Sequence, residues 1–495
     1  MPLLLVTLSC LASCQPKNAA LRALTTDLID VGTETQLFVD DWAIQQTQAV
    51  ARQIHPLIKH RGNPILRPDR VWEGNYAMPE TVLYDESERV FKMWYRCLGV
   101  PEDARSSGAQ FCYSVSDDGI DWKKPELGLV DYWGSRKNNL IKGPFGEVIK
   151  DLREGEGSRR FKSLGDCGSD PKSPAGLCLS ASPDGLHWNS YPENPLFGDL
   201  AAESSGTHKG IGARHGAFGW DDTIGKYVAF ISPSAVFRTI GRSVSDDFIH
   251  WSLPSPILVA SDEYPAGSQF YRLSVFKDRS IYFGLLSVYH PNSRMVDVEL
   301  TYSRDAIAWR HVKKGHAVLT YGLPDSFDSH AVYALKPLVT LDKIWVYYSA
   351  YNGSYALASF EAQLPASPNS IRDLPQLKGR RGYGGLAISL RDRFVSLEAG
   401  SAKAEVITKP FHLKGRRLYL NADSTDGEIR VELLDMSGEP LTGFRETDSD
   451  PIREDLPRSV VSWRGQSDLS SLRDLRVRIR FLMNNCRLFS FTFAE

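Results

Sequence analysis

The phrase Ser-x-Asp, with Trp six residues after the Ser, occurs four times, as Ser116/Asp118/Trp122, Ser182/Asp184/Trp188, Ser245/Asp247/Trp251 and Ser303/Asp305/Trp309. Successive tryptophans are 66, 63 and 58 residues apart. Self-similarity at this interval restricts the chain to an architecture of repeated units, each burying its apolar faces on its neighbours. Short apolar or alternating runs precede every copy: 90–95 and 111–115 before the first, 161–164 and 177–180 before the second, 227–231 and 239–244 before the third, 281–286 and 296–302 before the fourth. A fifth unit, with runs at 330–338, 344–349 and 354–359, lacks the phrase.

A unit of roughly 60 residues accommodates a four-stranded blade with long connections, and a ring of blades protects strand edges that an open sheet would expose. The reading is an all-β chain: a five-bladed β-propeller over 35–375, then a C-terminal β-sandwich over 383–495, where alternating runs are separated by polar turns. Within the phrase, Asp accepts backbone N–H bonds and Trp covers the gap between blades. These four aspartates are therefore structural and leave the catalytic candidates. The segment 35–42 is expected to complete the last blade.

A chain of 495 residues suits two domains of unequal size. Its net charge is −2 with the signs interspersed, so it offers no basic field to nucleic acid or an anionic membrane. The first fourteen residues are apolar and too few to span a bilayer. Leu11-Ala12-Ser13-Cys14 looks like the site at which bacterial lipoproteins are cleaved and lipidated, although a basic n-region is missing. Residues 1–20 are accordingly read as a leader, with a lipid anchor on Cys14. The expected location is exported: periplasmic, outer-membrane-anchored or extracellular. Cys97/Cys112 and Cys167/Cys178 each span a predicted hairpin at the same place in consecutive repeats, which permits cross-strand disulfides if the Cβ atoms face, four buried thiols being the alternative. Neither CxxC nor a Cys/His cluster at zinc spacing is present.

Chemistry is sought at or just before the first strand of each unit. Glu80 stands between Pro79 and Thr81 in an apolar strand, an expensive position for a carboxylate unless it is paired or functional. Asp41 lies between Asp40 and Trp42, and Asp151 precedes the second unit's Arg159-Arg160. Glu263 precedes the fourth unit's first strand, where aromatic neighbours are expected to raise its pKa. Asp41, Glu80, Asp151 and Glu263 are the catalytic candidates, with Asp151 orienting substrate or tuning a neighbour. Trp72 and Tyr271 are candidates for stacking on sugar faces; Arg214, His215 and His330 for holding hydroxyls or an acidic substituent. Each has an ordinary alternative as a core ion pair, a turn residue or solvated loop decoration. Two carboxyls across a ring match cleavage of a glycosidic bond, one protonating the leaving oxygen and the other activating water or attacking carbon. No GxSxG, P-loop, HExxH or dinucleotide motif competes.

The stretches 37–42, 60–64, 91–95, 116–122, 420–423 and 431–435 resemble a group of secreted bacterial proteins, frequent in planctomycetes, described as glycosyl hydrolase family 32-like or family 43-like five-bladed propeller proteins. The likeness runs from about residue 36 to the C-terminus and implies a sugar substrate. The Arg-Asp-Pro and Glu-Cys motifs of family 32 are missing, which turns the expectation away from inulin or sucrose. The resulting reading is an exported glycoside hydrolase removing a terminal sugar from an oligo- or polysaccharide. The alternatives are a non-catalytic carbohydrate-binding protein and a glycoside phosphorylase, the latter with Lys150, Arg214, His215 and Arg272 as loose candidates for a phosphate pocket. No cofactor is required; the central channel would admit a structural calcium ion, though no dense Asp-x-Asp loop compels one.

Overall fold

The recurring phrase folds four times into the same turn. In the first copy Gly119 N donates to Ser116 Oγ at 2.9 Å, while Ile120 N and Asp121 N donate to Asp118 Oδ1 at 2.8 and 2.9 Å. Asp184 accepts from Leu186 N and His187 N, Asp247 from Ile249 N and His250 N, and Asp305 from Ile307 N and Ala308 N. Burial opposes the charge on Asp184, but these donors outweigh it and bring its pKa down to about 2.

The structure is a computed structural model and describes residues 28–97, 111–143, 146–167, 177–197, 216–231, 238–353 and 381–495. The described residues are all-β, with no α-helix among them. The chain divides into two units, residues 53–395 and residues 396–495 with the N-terminal residues up to Arg52.

In the larger unit the strands form antiparallel groups. The first holds Ala77–Asp85, Val90–Cys97, Phe111–Ser116 and Leu140–Ile141; the second Gly146–Lys150, Phe161–Asp166, Leu177–Ser182 and Asn189–Ser190; the third Gly216–Asp221, Lys226–Ile231, Ile240–Ser245 and Ser255–Leu258. A ten-stranded sheet contains two more, joined by one parallel bridge from Val296 to Ala331. The fourth is built on Gln269–Asp278, Ile281–His290 and Met295–Ser303; the fifth on Ala331–Ala334, Lys343–Tyr351, Gly382–Leu390 and Ile58–Lys59.

Each Trp of the phrase packs on the seam between its own group and the one before. Trp188 packs against the cluster that holds Trp94, Phe111 and Phe161, Trp251 against the cluster that holds Leu164, Leu179 and Phe248, Trp309 lies edge-on to Phe230, and Trp122 edge-on to Tyr347 of the fifth group. A second repeated joint closes the other end of these seams. The first strands run into Asp85, Asp151, Asp221 and Asp278, and each accepts from the next group: Lys150 Nζ, Tyr227 OH, Tyr282 OH and Arg391 Nη2. The fifth group returns to the first, where Tyr347 OH donates to Gly119 O at 2.8 Å and Ser349 Oγ to Pro79 O.

Both expected cysteine pairs are bonded, with Cα–Cα distances of 6.0 Å for Cys97–Cys112 and 4.8 Å for Cys167–Cys178. Two strand assignments change. The expected strand at 354–359 lies outside the described residues, and the strand beside Lys343–Tyr351 is Gly382–Leu390, which falls almost wholly within the 383–495 span read as the sandwich. That strand reads poorly because it is rich in glycine, and the glycines are required. A Cβ at Gly385 would lie 2.2 Å from Tyr348 Cζ, and one at Gly384 2.7 Å from Pro79 Cγ. The N-terminal strand on the fifth group is Ile58–Lys59, not 35–42. In the smaller unit Gln36–Leu37 pairs with Cys486–Ala494, and Phe38 is fully buried among Phe481, Phe491 and Leu418. An apolar Leu-Phe-Val run has more to gain from that core than from a sheet edge.

The smaller unit has two antiparallel sheets, one containing Arg417–Asp423, Asp455–Val460 and Cys486–Ala494, the other Ile44–Gln48, Ala404–Thr408, Glu428–Leu434 and Arg476–Asn484. They share one apolar core, in which Trp463 is buried and donates Nε1 to Val431 O at 2.8 Å. Replacing Asp184 by Ala should remove two backbone hydrogen bonds and cost about 1 kcal/mol of unfolding free energy. Urea denaturation measures the loss, and Asp305→Ala should lose no more than this, because it gives up the same two backbone bonds but not the His187 Nδ1 contact that Asp184 also makes.

Candidate functional site

First strands from three groups bring charge to one place. Glu80 comes from the first group, Glu147 from the second and Arg272 from the fourth, and all three are buried. A bulge between Pro79 and Thr81 takes Glu80 out of the ladder, and another between Phe270 and Arg272 re-aims the arginine. Arg272 Nη2 lies 3.0 Å from Glu147 Oε2, and its Nη1 lies 3.4 Å from Glu80 Oε2. Arg96 Nε donates to Glu80 Oε1 at 2.8 Å. The arginine is itself held, Nε donating to Ser274 Oγ at 3.1 Å and that hydroxyl to Ala334 O of the fifth group at 2.7 Å.

Burial pushes Glu147 up to about 7 against the attraction of Arg272 and Lys336, with the Glu80 charge adding to the rise. Lys336, two residues past the strand Ala331–Ala334, is half-buried, and desolvation pulls its pKa down. The cluster thus offers two acids in unlike surroundings. One is paired to two guanidinium groups, and the other is held near neutrality.

Of the expected catalytic residues only Glu80 belongs to this cluster, joined by Arg272, which was a loose candidate for a phosphate pocket. Asp41 lies in the smaller unit, 74 % exposed and paired with Arg52. Asp151 is the second of the repeated strand-end aspartates, bonded by Tyr227 and by Lys162 Nζ at 2.9 Å. Burial opposes its charge, but those donors prevail and its pKa falls below the ordinary value. Glu263 is 75 % exposed and paired with Lys314, which lowers its pKa instead of raising it. Its connection starts from the outer strand Ser255–Leu258, so the apolar ring of Tyr264 turns inward and the carboxylate stays in water.

Trp72 donates Nε1 to Asn139 Oδ1 at 2.7 Å and meets Tyr132 edge-on, as part of the first group's packing. Tyr271 is buried, stacked on Tyr289 at 5.3 Å with the Arg238 guanidinium 4.3 Å from its ring centre, so it presents no open face to a sugar. His330 is half-buried, 3.3 Å from Ser329 Oγ through Nδ1, and its main chain bonds Tyr351 and Val296. Arg214 and His215 lie outside the described residues, as do residues 1–20 with Cys14. Lys150 is drawn away to Asp85. Among the described residues no group of three or more His, Cys, Asp or Glu side chains is placed to hold a metal ion.

Glu147 was open to the reasoning that singled out Glu80: a carboxylate between Gly146 and Val148 in a strand with nothing local to neutralise it. Arg272 and Lys336 carry no such mark, because their partners come from distant repeats.

No family model matches the sequence, and no curated protein matches it. Among solved structures, the chain is similar to a glycosyl hydrolase from Bacteroides ovatus, with 13 % identity over 69 % of this chain and 95 % of the other and a TM-score of 0.43. It is similar to a thermostable family-43 glycoside hydrolase, with 15 % identity over 63 % and 88 % and a TM-score of 0.38. A family-32 β-fructofuranosidase from Bombyx mori matches over 90 % and 94 %, with 11 % identity and a TM-score of 0.37.

Two outcomes check this description. Asp151→Ala should lower stability by roughly 1–3 kcal/mol in urea denaturation, because Tyr227 OH loses its acceptor while buried Lys162 keeps only Glu154 of its two carboxylates. For Glu147 the folded pKa of about 7 lies above its reference of 4.5, so the folded state binds the extra proton between those values. The stability this confers is complete below pH 4.5 and is lost as pH rises through 7. Relative to Glu147→Gln, the parent protein should therefore lose about 3 kcal/mol between pH 4.5 and 8 in paired unfolding curves.

Proposed function

We propose that the five strand groups are the blades of a five-bladed β-propeller, and that the two sheets of the smaller unit form a β-sandwich. On that framework the protein acts as an exported glycoside hydrolase, releasing a terminal sugar from an oligo- or polysaccharide. The observation that carries this reading is the pair Glu80 and Glu147, two buried carboxyls from neighbouring first strands that both touch Arg272. Glycoside hydrolysis needs one carboxyl protonated and one ionised at the working pH. Glu147, near neutrality, suits the acid that protonates the leaving oxygen, and Glu80, bonded by Arg96 and Arg272, suits the ionised base or nucleophile. The assignment keeps Glu80, adds Glu147, and leaves Asp41, Asp151 and Glu263 to their own ion pairs. His330 remains a proposed contact for sugar hydroxyls. The two disulfides support an oxidising compartment and with it export.

A second reading, glycoside phosphorolysis, is favoured by Lys336 and Arg96 beside the two carboxyls, since cations there would also suit a phosphate nucleophile. Purified protein incubated with a panel of plant and algal oligosaccharides, with and without phosphate, separates the two by the products released. Glu80→Gln and Glu147→Gln should each lower kcat by roughly 10²- to 10⁴-fold with folding retained. Unchanged turnover in either variant removes that residue from the reaction. Binding of an oligosaccharide without turnover by the parent protein favours a non-catalytic carbohydrate-binding role.

A further inference from the structure

Arg272 differs from an ordinary buried ion-pair partner in how completely it is committed. Its Nη2 meets Glu147 Oε2 at 3.0 Å and the Glu80 main-chain oxygen at 3.5 Å, its Nη1 meets Glu80 Oε2 at 3.4 Å, and its Nε is spent on Ser274. The planar fork joins the first and second groups, while Ser274, bonded to Ala334 O, fixes the fork against the fifth. Stability alone gives little reason for such a cluster, because a buried ion network is often replaced by well-packed apolar side chains at no loss. Its Nε, Nη1 and Nη2 each have an acceptor within the protein, so the fork is used on Ser274 and the two glutamates.

We infer that Arg272 is a positioning residue for the glutamate pair, setting the separation and orientation of the Glu80 and Glu147 carboxyls and coupling one to the other. The inference rests on the reading of that pair as the acid and base of the proposed reaction. Among the described residues the charged groups facing the pair include Arg96 at Glu80, Lys336 at Glu147, and Arg272 between them. Arg96 reaches Glu80 alone, and Lys336 acts on Glu147. Arg272 hydrogen-bonds both carboxyls at once, and a lysine ammonium, a point charge in place of a planar fork, would not reproduce its three fixed directions.

The test uses Arg272→Met and Arg272→Lys in the full-length protein, each with and without Glu147→Gln, and has two readouts. The first needs no activity: the pH dependence of the unfolding difference made by Glu147→Gln locates the Glu147 titration. Losing the guanidinium should move its midpoint up by about one unit or more in Arg272→Met and by less in Arg272→Lys. The second is the pH profile of kcat on a substrate the parent protein turns over. The limb assigned to Glu147 should move the same way, with kcat lowered about a hundredfold or more and KM changed little. An unmoved midpoint overturns the inference, as does a rise in KM with kcat intact, which would make Arg272 a direct substrate ligand. If Arg272→Met does not fold, the midpoint in Arg272→Lys decides. If the parent protein turns over no oligosaccharide, the catalytic reading fails, while the midpoint still reports whether Arg272 governs the pair.

Discussion

The larger unit depends on closing the seams between strand groups at both ends. At one end an indole from the Ser-x-Asp turn lies against the preceding group; at the other a strand-end aspartate takes a donor from the following one. Neither contact is large alone. The aspartates are buried, so a lost donor leaves part of a buried carboxylate unsatisfied, a cost of roughly 1–3 kcal/mol. That penalty makes the relative placement of neighbouring groups nearly all-or-none, and the first strands inherit their positions from it.

Those positions account for the charged cluster. Glu80, Glu147 and Arg272 lie far apart in the chain, and each would be expensive in the interior of its own sheet. Once they are brought together, Arg272 bonds both carboxyls, while burial still pushes Glu147 up to about 7. Thr81 illustrates how tightly the strands are matched: its Oγ1 accepts from Val148 N at 2.8 Å, one residue from each glutamate. The two bulges matter for the same reason, since a regular ladder would carry Glu80 and Arg272 past the meeting point.

Much of the framework was legible from local signals. The Ser-x-Asp…Trp phrase marked four turns and the seams they guard, and the matched cysteine pairs marked two hairpins, because each is a short-range pattern repeated in register. The strand Gly382–Leu390 gives no signal of its own, since its glycines answer to Tyr348, Pro79 and Leu66, which no local pattern announces. The segment 35–42 was assigned to the ring when Phe38 belongs to the other core. Among the candidate site residues, Glu80 stood out as a carboxylate in an apolar strand. Asp151 looked similar until its likeness to Asp85, Asp221 and Asp278 placed it in the repeated joint, a pattern present in the sequence but masked by turns of unequal length. Glu263 was misjudged because aromatic neighbours in sequence say nothing about which way a carboxylate turns.

The sequence by itself determined that the chain is built of repeated all-β units, that the four phrase aspartates are structural, and that two cysteine pairs sit at equivalent places. All three follow from period and spacing, which act over a few residues. Only the tertiary structure decided which charges meet. Glu147, Arg272 and Lys336 acquire meaning from side chains more than a hundred residues away, and a charge in a strand is costly or useful according to the partner that arrives beside it.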